Sequence, residues 1–278
     1  MKKRIITAVV AFFVLLPVLI FSDTVLFPLG IAVCAVLSVW EMLGCVGLRK
    51  AWLFAVPLYL IGAGFPFLIR YLPDKSLLAP IAICVSVAWV LYAFTVLIFT
   101  HGKYSLESLS VASFSLLYIF VGFNAILYIH DCQPGGRYLY YLCFIGAWIT
   151  DIFAYFCGRL FGKHKLIPDV SPKKTVEGSI GGTLFCVLSM VVFGIIVEWL
   201  VPEIQANILI FAVAGVFISL VSQIGDLSMS VIKRKYGVKD YGFIFPGHGG
   251  VLDRFDSVIA VSAILFVFTM FFTFFEAA

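Results

Sequence analysis

The chain has 278 residues, of which 63% are hydrophobic, 17% aromatic and only 12% charged, with a formal net charge of +4. A soluble domain carries about 45–50% apolar and about 25% charged residues, so this composition excludes a soluble fold as well as a disordered chain. At about 20 residues per membrane-crossing helix, nine spans take roughly 180 residues and leave about 100 for loops and water-facing chemistry. The composition therefore predicts an all-α fold, a polytopic transmembrane helical bundle.

Nine apolar runs follow in chain order: Ile5–Phe21, Val25–Gly47, Trp52–Ile69, Leu77–Phe99, Leu109–His130, Tyr138–Gly158, Ser179–Val201, Ile208–Ile224 and Ser257–Phe275. Lys2-Lys3-Arg4 ahead of the first run fits a signal peptide. The run is long, however, and Phe21-Ser22-Asp23 is not a small-x-small cleavage site, so an uncleaved span is expected. Short polar clusters separate most runs. Two gaps are longer, about 159–178 and 226–256. No linker or low-complexity stretch marks a soluble domain. The expectation is one integral membrane domain over 1–278, with spans one to four in 1–108 and spans five to nine in 109–278.

With the N-terminus in the cytoplasm, nine crossings put all of the 19 Lys and Arg residues except Arg70, Lys75 and Arg137 on the inner side. This asymmetry supports the topology and places both long loops at the cytoplasmic face of a cell-membrane protein. The seven cysteines form no CxxC pair and read as packing residues.

The second long gap is the most polar stretch. Asp226 ends the eighth run, and Asp253 and Asp256 open the ninth. Carboxylates at i and i+3 share a helix face. Three converging carboxylates repel unless a cation lies between them, and Mg²⁺ suits carboxylate oxygens plus substrate phosphates. The competing reading is plain helix capping by Asp253 and Asp256, with Asp226 facing water at a span end. His248 lies in Pro246-Gly-His-Gly249-Gly250, where glycines let successive backbone N–H groups cradle a phosphate or simply form a tight turn. Lys233, Arg234, Lys235 and Lys239 suit phosphate pairing or inner-face anchoring.

In the first gap, Ser171-Pro-Lys173-Lys174-Thr175 precedes a helix start, which suits phosphate binding although the Walker spacing is missing. Gly178, Gly181 and Gly182 alternatively permit close helix packing. Asp151 lies inside an apolar run and is a functional candidate for that reason, or else pairs with a neighbouring helix. Glu41, deep in the second run, is left open, and Glu198 is read as interfacial.

From Ser230 to Asp256 the chain resembles the phosphatidate cytidylyltransferase (CDP-diacylglycerol synthase) family. The residues that carry the resemblance are Ser230, Ile232, Lys233-Arg234, Lys239-Asp240, Gly242, Phe245-Pro246, His248-Gly249-Gly250-Val251 and Asp253-Arg254-Phe255-Asp256. It continues upstream in Gly225-Asp226-Leu227, Ser171–Gly178, Asp151, Ala154-Tyr155 and Gly158-Arg159. Two positions depart from the family pattern, Ile152 in place of a hydroxyl residue and Met229 in place of an acid.

The resemblance implies transfer of CMP from CTP to phosphatidate, giving CDP-diacylglycerol and pyrophosphate, by a dimeric polytopic enzyme with a cavity open to the bilayer. It implies Mg²⁺, with room for a second cation, on Asp226, Asp253 and Asp256. Catalytic roles extend to Lys239 and His248. Substrate and phosphate contacts are expected from Asp151, Tyr155, Ser171, Lys173, Lys174, Thr175, Lys233, Arg234, Gly249, Gly250 and Arg254. The expected partners are CTP, phosphatidate, bilayer lipid and a second copy of the chain, with no nucleic acid. A CDP-archaeol synthase or polyprenol kinase would use similar residues. A transporter would account for Asp151 and Glu41 but not for polar residues gathered in two loops.

Overall fold

The structure is a computed structural model, and it describes residue 10 and residues 13–101, 103–247 and 249–277. Most of the polypeptide is helical, and eight helices among the described residues are long and apolar enough to cross a membrane. They match the second to ninth expected spans. Of the first, Ile5–Phe21, residues 13–20 are helical, and most of the remainder lies outside the described residues.

The chain divides into two compact units, 1–127 with Val238–Arg254, and Tyr128–Gly237 with Phe255–Ala278. The first unit holds α1 (Leu26–Cys45), α2 (Trp52–Tyr71), α3 (Leu78–Phe99) behind a 3₁₀ turn at Lys75–Leu77, and most of α4 (Leu106–Cys132). Its core is built from Phe27, Val39, Met42 and Leu43 of α1, Phe54 and Leu58 of α2, and Leu116, Ile119 and Phe123 of α4, all at most 2% exposed. The Phe54 ring meets Trp89, Tyr92 and Tyr104 edge-on at 5.7–6.5 Å, a favoured aromatic geometry. In α3 only Leu78 and Val96 are buried. Such a helix, apolar all round yet uncovered by protein, is suited to lipid rather than water.

The second unit holds α5 (Gly136–Leu139), α6 (Tyr141–Phe161), α7 (Val176–Leu200), α8 (Ile208–Lys235) and most of α9 (Leu252–Phe271). Glycines let its helices approach closely, as expected where packing rather than hydrophobic transfer drives helix association. A Cβ on Gly178 would lie 2.5 Å from the Ala154 carbonyl oxygen, and one on Gly182 2.8 Å from that of Thr150. The alternative reading of these glycines, close helix packing, is thus the one the backbone supports. Phe153 and Phe185 stack beside them at 3.8 Å.

Two small antiparallel sheets depart from the all-α expectation. One is a hairpin of β1 (Lys165–Ile167) and β2 (Ser171–Thr175), and the other pairs β3 (Ile204–Ala206) with β4 (Phe275–Ala277). The ninth run, expected to stay helical to Phe275, therefore ends at Phe271. Both long gaps also shrink. Helix α8 continues past Ile224 to Lys235, α7 begins at Val176 rather than Ser179, and α9 begins at Leu252 rather than Ser257. Hydropathy marks where a membrane ends, whereas a helix ends where its cap does. For α8 the stop is Gly237, at φ +67°, whose N–H reaches the Arg234 carbonyl at 3.1 Å. Lys233, Arg234 and Lys235 in the last turn complement the negative end of the helix dipole.

Candidate active site

In the second unit, the extension of α8 puts Asp226 and Lys233 two turns apart on one helix, hence on one face. The β1–β2 hairpin delivers Lys174, whose Nζ lies 2.6 Å from Asp226 Oδ2. The two side chains are 21% and 29% exposed, and the ammonium nitrogen itself is buried and off hydrogen-bond geometry. The hairpin is fastened at both ends. Thr175 Oγ1 accepts from Gly178 N–H at 3.2 Å and caps α7. Glu177 Oε1 meets His164 Nδ1 at 2.7 Å, and its carboxylate also accepts from the His164 backbone N–H.

Asp256, 6% exposed in the first turns of α9, is in electrostatic range of Asp226, Lys233 and Asp151. Its Oδ1 accepts from Ser257 N–H at 2.9 Å, while the Ser257 hydroxyl donates to Asp151 Oδ2 at 3.4 Å. The unit thus gathers Lys174, Asp226, Lys233, Asp256 and Asp151. Ser171 is half-buried, and Lys173 and Arg234 are exposed. Tyr155 is 59% exposed, its hydroxyl accepting from Arg159 Nη1 at 3.4 Å.

In the first unit, the loop before α9 is a tight turn. Phe245 and Gly249 exchange backbone hydrogen bonds of 2.9 and 3.1 Å, with Gly247 at φ +80° and Gly249 at φ +90°, conformations that favour glycine. Asp253 Oδ2 accepts from the N–H groups of Tyr241 at 2.8 Å and Gly250 at 2.9 Å. The N–H groups of Gly249 and Gly250, candidate phosphate donors, are therefore both engaged, one by the Phe245 carbonyl and the other by Asp253 of α9. Lys239 and Arg254 are exposed, and His248 lies outside the described residues.

Glu41 is the residue whose part the sequence left open. It is 0% exposed, and its Oε1 and Oε2 accept from Val251 N–H at 3.0 Å and Leu252 N–H at 2.8 Å. A lone acid in an apolar run was the only signal available, and it named no partner. Glu198, read as interfacial, accepts from Ala206 N–H at 3.1 Å.

Among the described residues, no three His, Cys, Asp or Glu side chains gather into a ready-made metal cage. Magnesium does not need one, since it usually takes one or two carboxylates and completes its octahedron with water and substrate phosphates. Asp226 and Asp256 supply hard oxygen donors of that kind, with Lys174 already a cation against one of them. The donor set fits such an ion.

Helices long and apolar enough to cross a bilayer, with acids and lysines gathered at their ends, define a polytopic membrane protein. The chain belongs to the cytidylyltransferase family, whose model, described as "Cytidylyltransferase family", matches residues 2–272. A phosphatidate cytidylyltransferase of Staphylococcus haemolyticus (strain JCSC1435) is 33% identical over 276 residues, 95% of this chain and 97% of that protein. One of Bacillus subtilis (strain 168) is 32% identical over 280 residues, 96% of each chain. One of Staphylococcus aureus (strain COL) is 32% identical over 273 residues, 95% of this chain and 97% of that protein.

Proposed function

We propose that this protein is a phosphatidate cytidylyltransferase, transferring CMP from CTP to phosphatidate and releasing pyrophosphate. The observation that carries the reading is the family match over residues 2–272, joined by relatives of that name at 32–33% identity over nearly the whole chain. The phosphate oxygen of phosphatidate attacks the α-phosphorus of CTP, the bond from that phosphorus to the bridging oxygen breaks, and pyrophosphate leaves. Such transfers ask little covalent chemistry of the protein, and positioning with charge neutralisation carries most of the rate.

The reading assigns Asp226, Asp253 and Asp256 to a Mg²⁺ ion, with a second cation admitted. When bound, the ion neutralises charge developing on the phosphate oxygens. Lys174, Lys233, Arg234, Lys239 and Arg254 hold phosphates. The ion pair of Lys174 with Asp226 supports this assignment, because both partners can be exchanged, the lysine to a phosphate and the aspartate to a metal. Asp151, Tyr155, Ser171, Lys173, Thr175, His248, Gly249 and Gly250 are assigned to substrate contact. The enzyme works as a homodimer, with its N-terminus and active site at the cytoplasmic face, in keeping with the inner placing of Lys and Arg.

Purified protein given phosphatidate and CTP labelled at either the α- or the γ-phosphorus tests the reading. Label from the α-position in the lipid supports cytidylyl transfer. Label from the γ-position would mean a kinase, and label only on an isoprenoid ether lipid offered in parallel would mean another acceptor. CTP-independent solute uptake by sealed vesicles, with no lipid labelled, would mean a transporter.

A further inference from the structure

We infer that Glu41 is a positioning residue that holds the 238–251 loop and the start of α9 in their working geometry. It lies 210 residues from its partners in sequence, yet both of its oxygens are committed to two consecutive backbone N–H groups at that helix start, Val251 at 3.0 Å and Leu252 at 2.8 Å. These are among the N–H groups a helix leaves without internal partners, and the positive end of the helix dipole lies there too. A fully buried carboxylate is costly unless hydrogen-bonded, and here the helix start supplies the bonds. Arg49 and Asp253 are the other charged groups in its electrostatic range.

The loop is shaped to admit this carboxyl. A Cβ on Gly250 would collide with both Glu41 oxygens, and one on Gly242 would stand 2.7 Å from Glu41 Cδ. Gly242 is not at positive φ, so the Glu41 carboxyl, rather than backbone strain, requires glycine there. From the other side, Asp253 takes the N–H groups of Tyr241 and Gly250. The loop is thus clamped by two carboxylates, one from its own helix and one from α1. Glu41 has no need to touch substrate, and it acts through the loop. The inference rests on the proposed function only in taking that loop as the part that meets the nucleotide.

The test uses the full-length protein in detergent with Glu41→Gln. The amide keeps the size but donates at one end, so one backbone N–H loses its acceptor. The expected result is faster amide hydrogen exchange confined to a peptide covering 242–252. With it, KM for CTP rises about tenfold, while KM for phosphatidate stays within about twofold. A merely structural loss would lower the active fraction, and so kcat, with both KM values unchanged, and that result would overturn the inference. So would unchanged exchange in 242–252. Should Glu41→Gln fail to fold, Gly242→Ala replaces it. It is expected to raise KM for CTP, and Glu41→Asp, with a shorter side chain, to reverse part of that rise. Wild-type KM in Gly242→Ala would overturn the clamp. Absence of cytidylyl transfer by the wild-type protein would instead overturn the proposed function, and the exchange measurement would still decide the clamp.

Discussion

The two units use their carboxylates differently: Glu41, Asp253 and Asp256 are buried, Asp226 is half-buried and Asp151 is exposed. In the first, Glu41 and Asp253 are bonded to backbone N–H groups, four in all, at a loop and a helix start. In the second, Asp226 faces a lysine ammonium and Asp151 a serine hydroxyl, while Asp256 accepts one backbone N–H, from Ser257, and lies in electrostatic range of both acids and of Lys233. A backbone partner is fixed by the fold, whereas a side-chain partner can swing away when a phosphate or a metal ion arrives. The first arrangement holds shape, and the second is poised for exchange. On the proposed function, the same residue type holds shape at Glu41, serves the metal at Asp226 and Asp256, and does both at Asp253.

Substitutions can break this contrast. Asp226→Asn and Asp256→Asn are each expected to lower CMP transfer at least about 10²-fold, the scale for losing an electrostatic group that acts on the transition state. Their thermal unfolding in detergent should change little. If either destabilises as strongly as Asp253→Asn, the contrast fails. Asp253→Asn should lower the unfolding free energy by about 2–3 kcal/mol, because two backbone N–H groups lose a charged acceptor, and activity should fall with it.

Lys174→Met sharpens the contrast at a smaller scale. The pair with Asp226 is partly exposed, at 21% and 29%, so its loss should cost less than about 1 kcal/mol of stability. The rate of transfer should nevertheless drop about 10-fold or more, the lower end for groups that support a metal or phosphate site. An unchanged rate would make Lys174 a structural partner only.

Two milder changes concern packing. Gly178→Ala should destabilise by about 1–3 kcal/mol, since the added methyl would press on the Ala154 carbonyl. Thr175→Ala should cost about 1 kcal/mol through loss of the α7 cap. If it also raises KM for CTP or phosphatidate, Thr175 contacts substrate as well as capping the helix. If KM stays put, capping is its whole part.

Hydropathy made most of the helices legible in the sequence, because a bilayer selects long apolar runs whatever the tertiary contacts. It failed at Asp226–Lys235, which is polar yet helical, and at the hairpin carrying Lys174, whose strands are too short to leave a period-two pattern. The polar residues of the site were legible as types. Their partners were not, because contacts such as Glu41 with Leu252 join positions far apart in the chain. Gly249-Gly250 suited a phosphate cradle or a tight turn, and in the turn they form the N–H groups reach Phe245 and Asp253. Spacing alone could not separate those two uses of glycine.

The most direct test of the account measures lipid-bound label from α-labelled CTP and phosphatidate across a Mg²⁺ titration, with wild-type protein and Asp226→Asn side by side. The account predicts Mg²⁺-dependent labelling by the wild type and a loss of at least about 10²-fold in the variant at every Mg²⁺ concentration. Unlabelled lipid with the wild type, or a variant within a few-fold of it, would contradict the account.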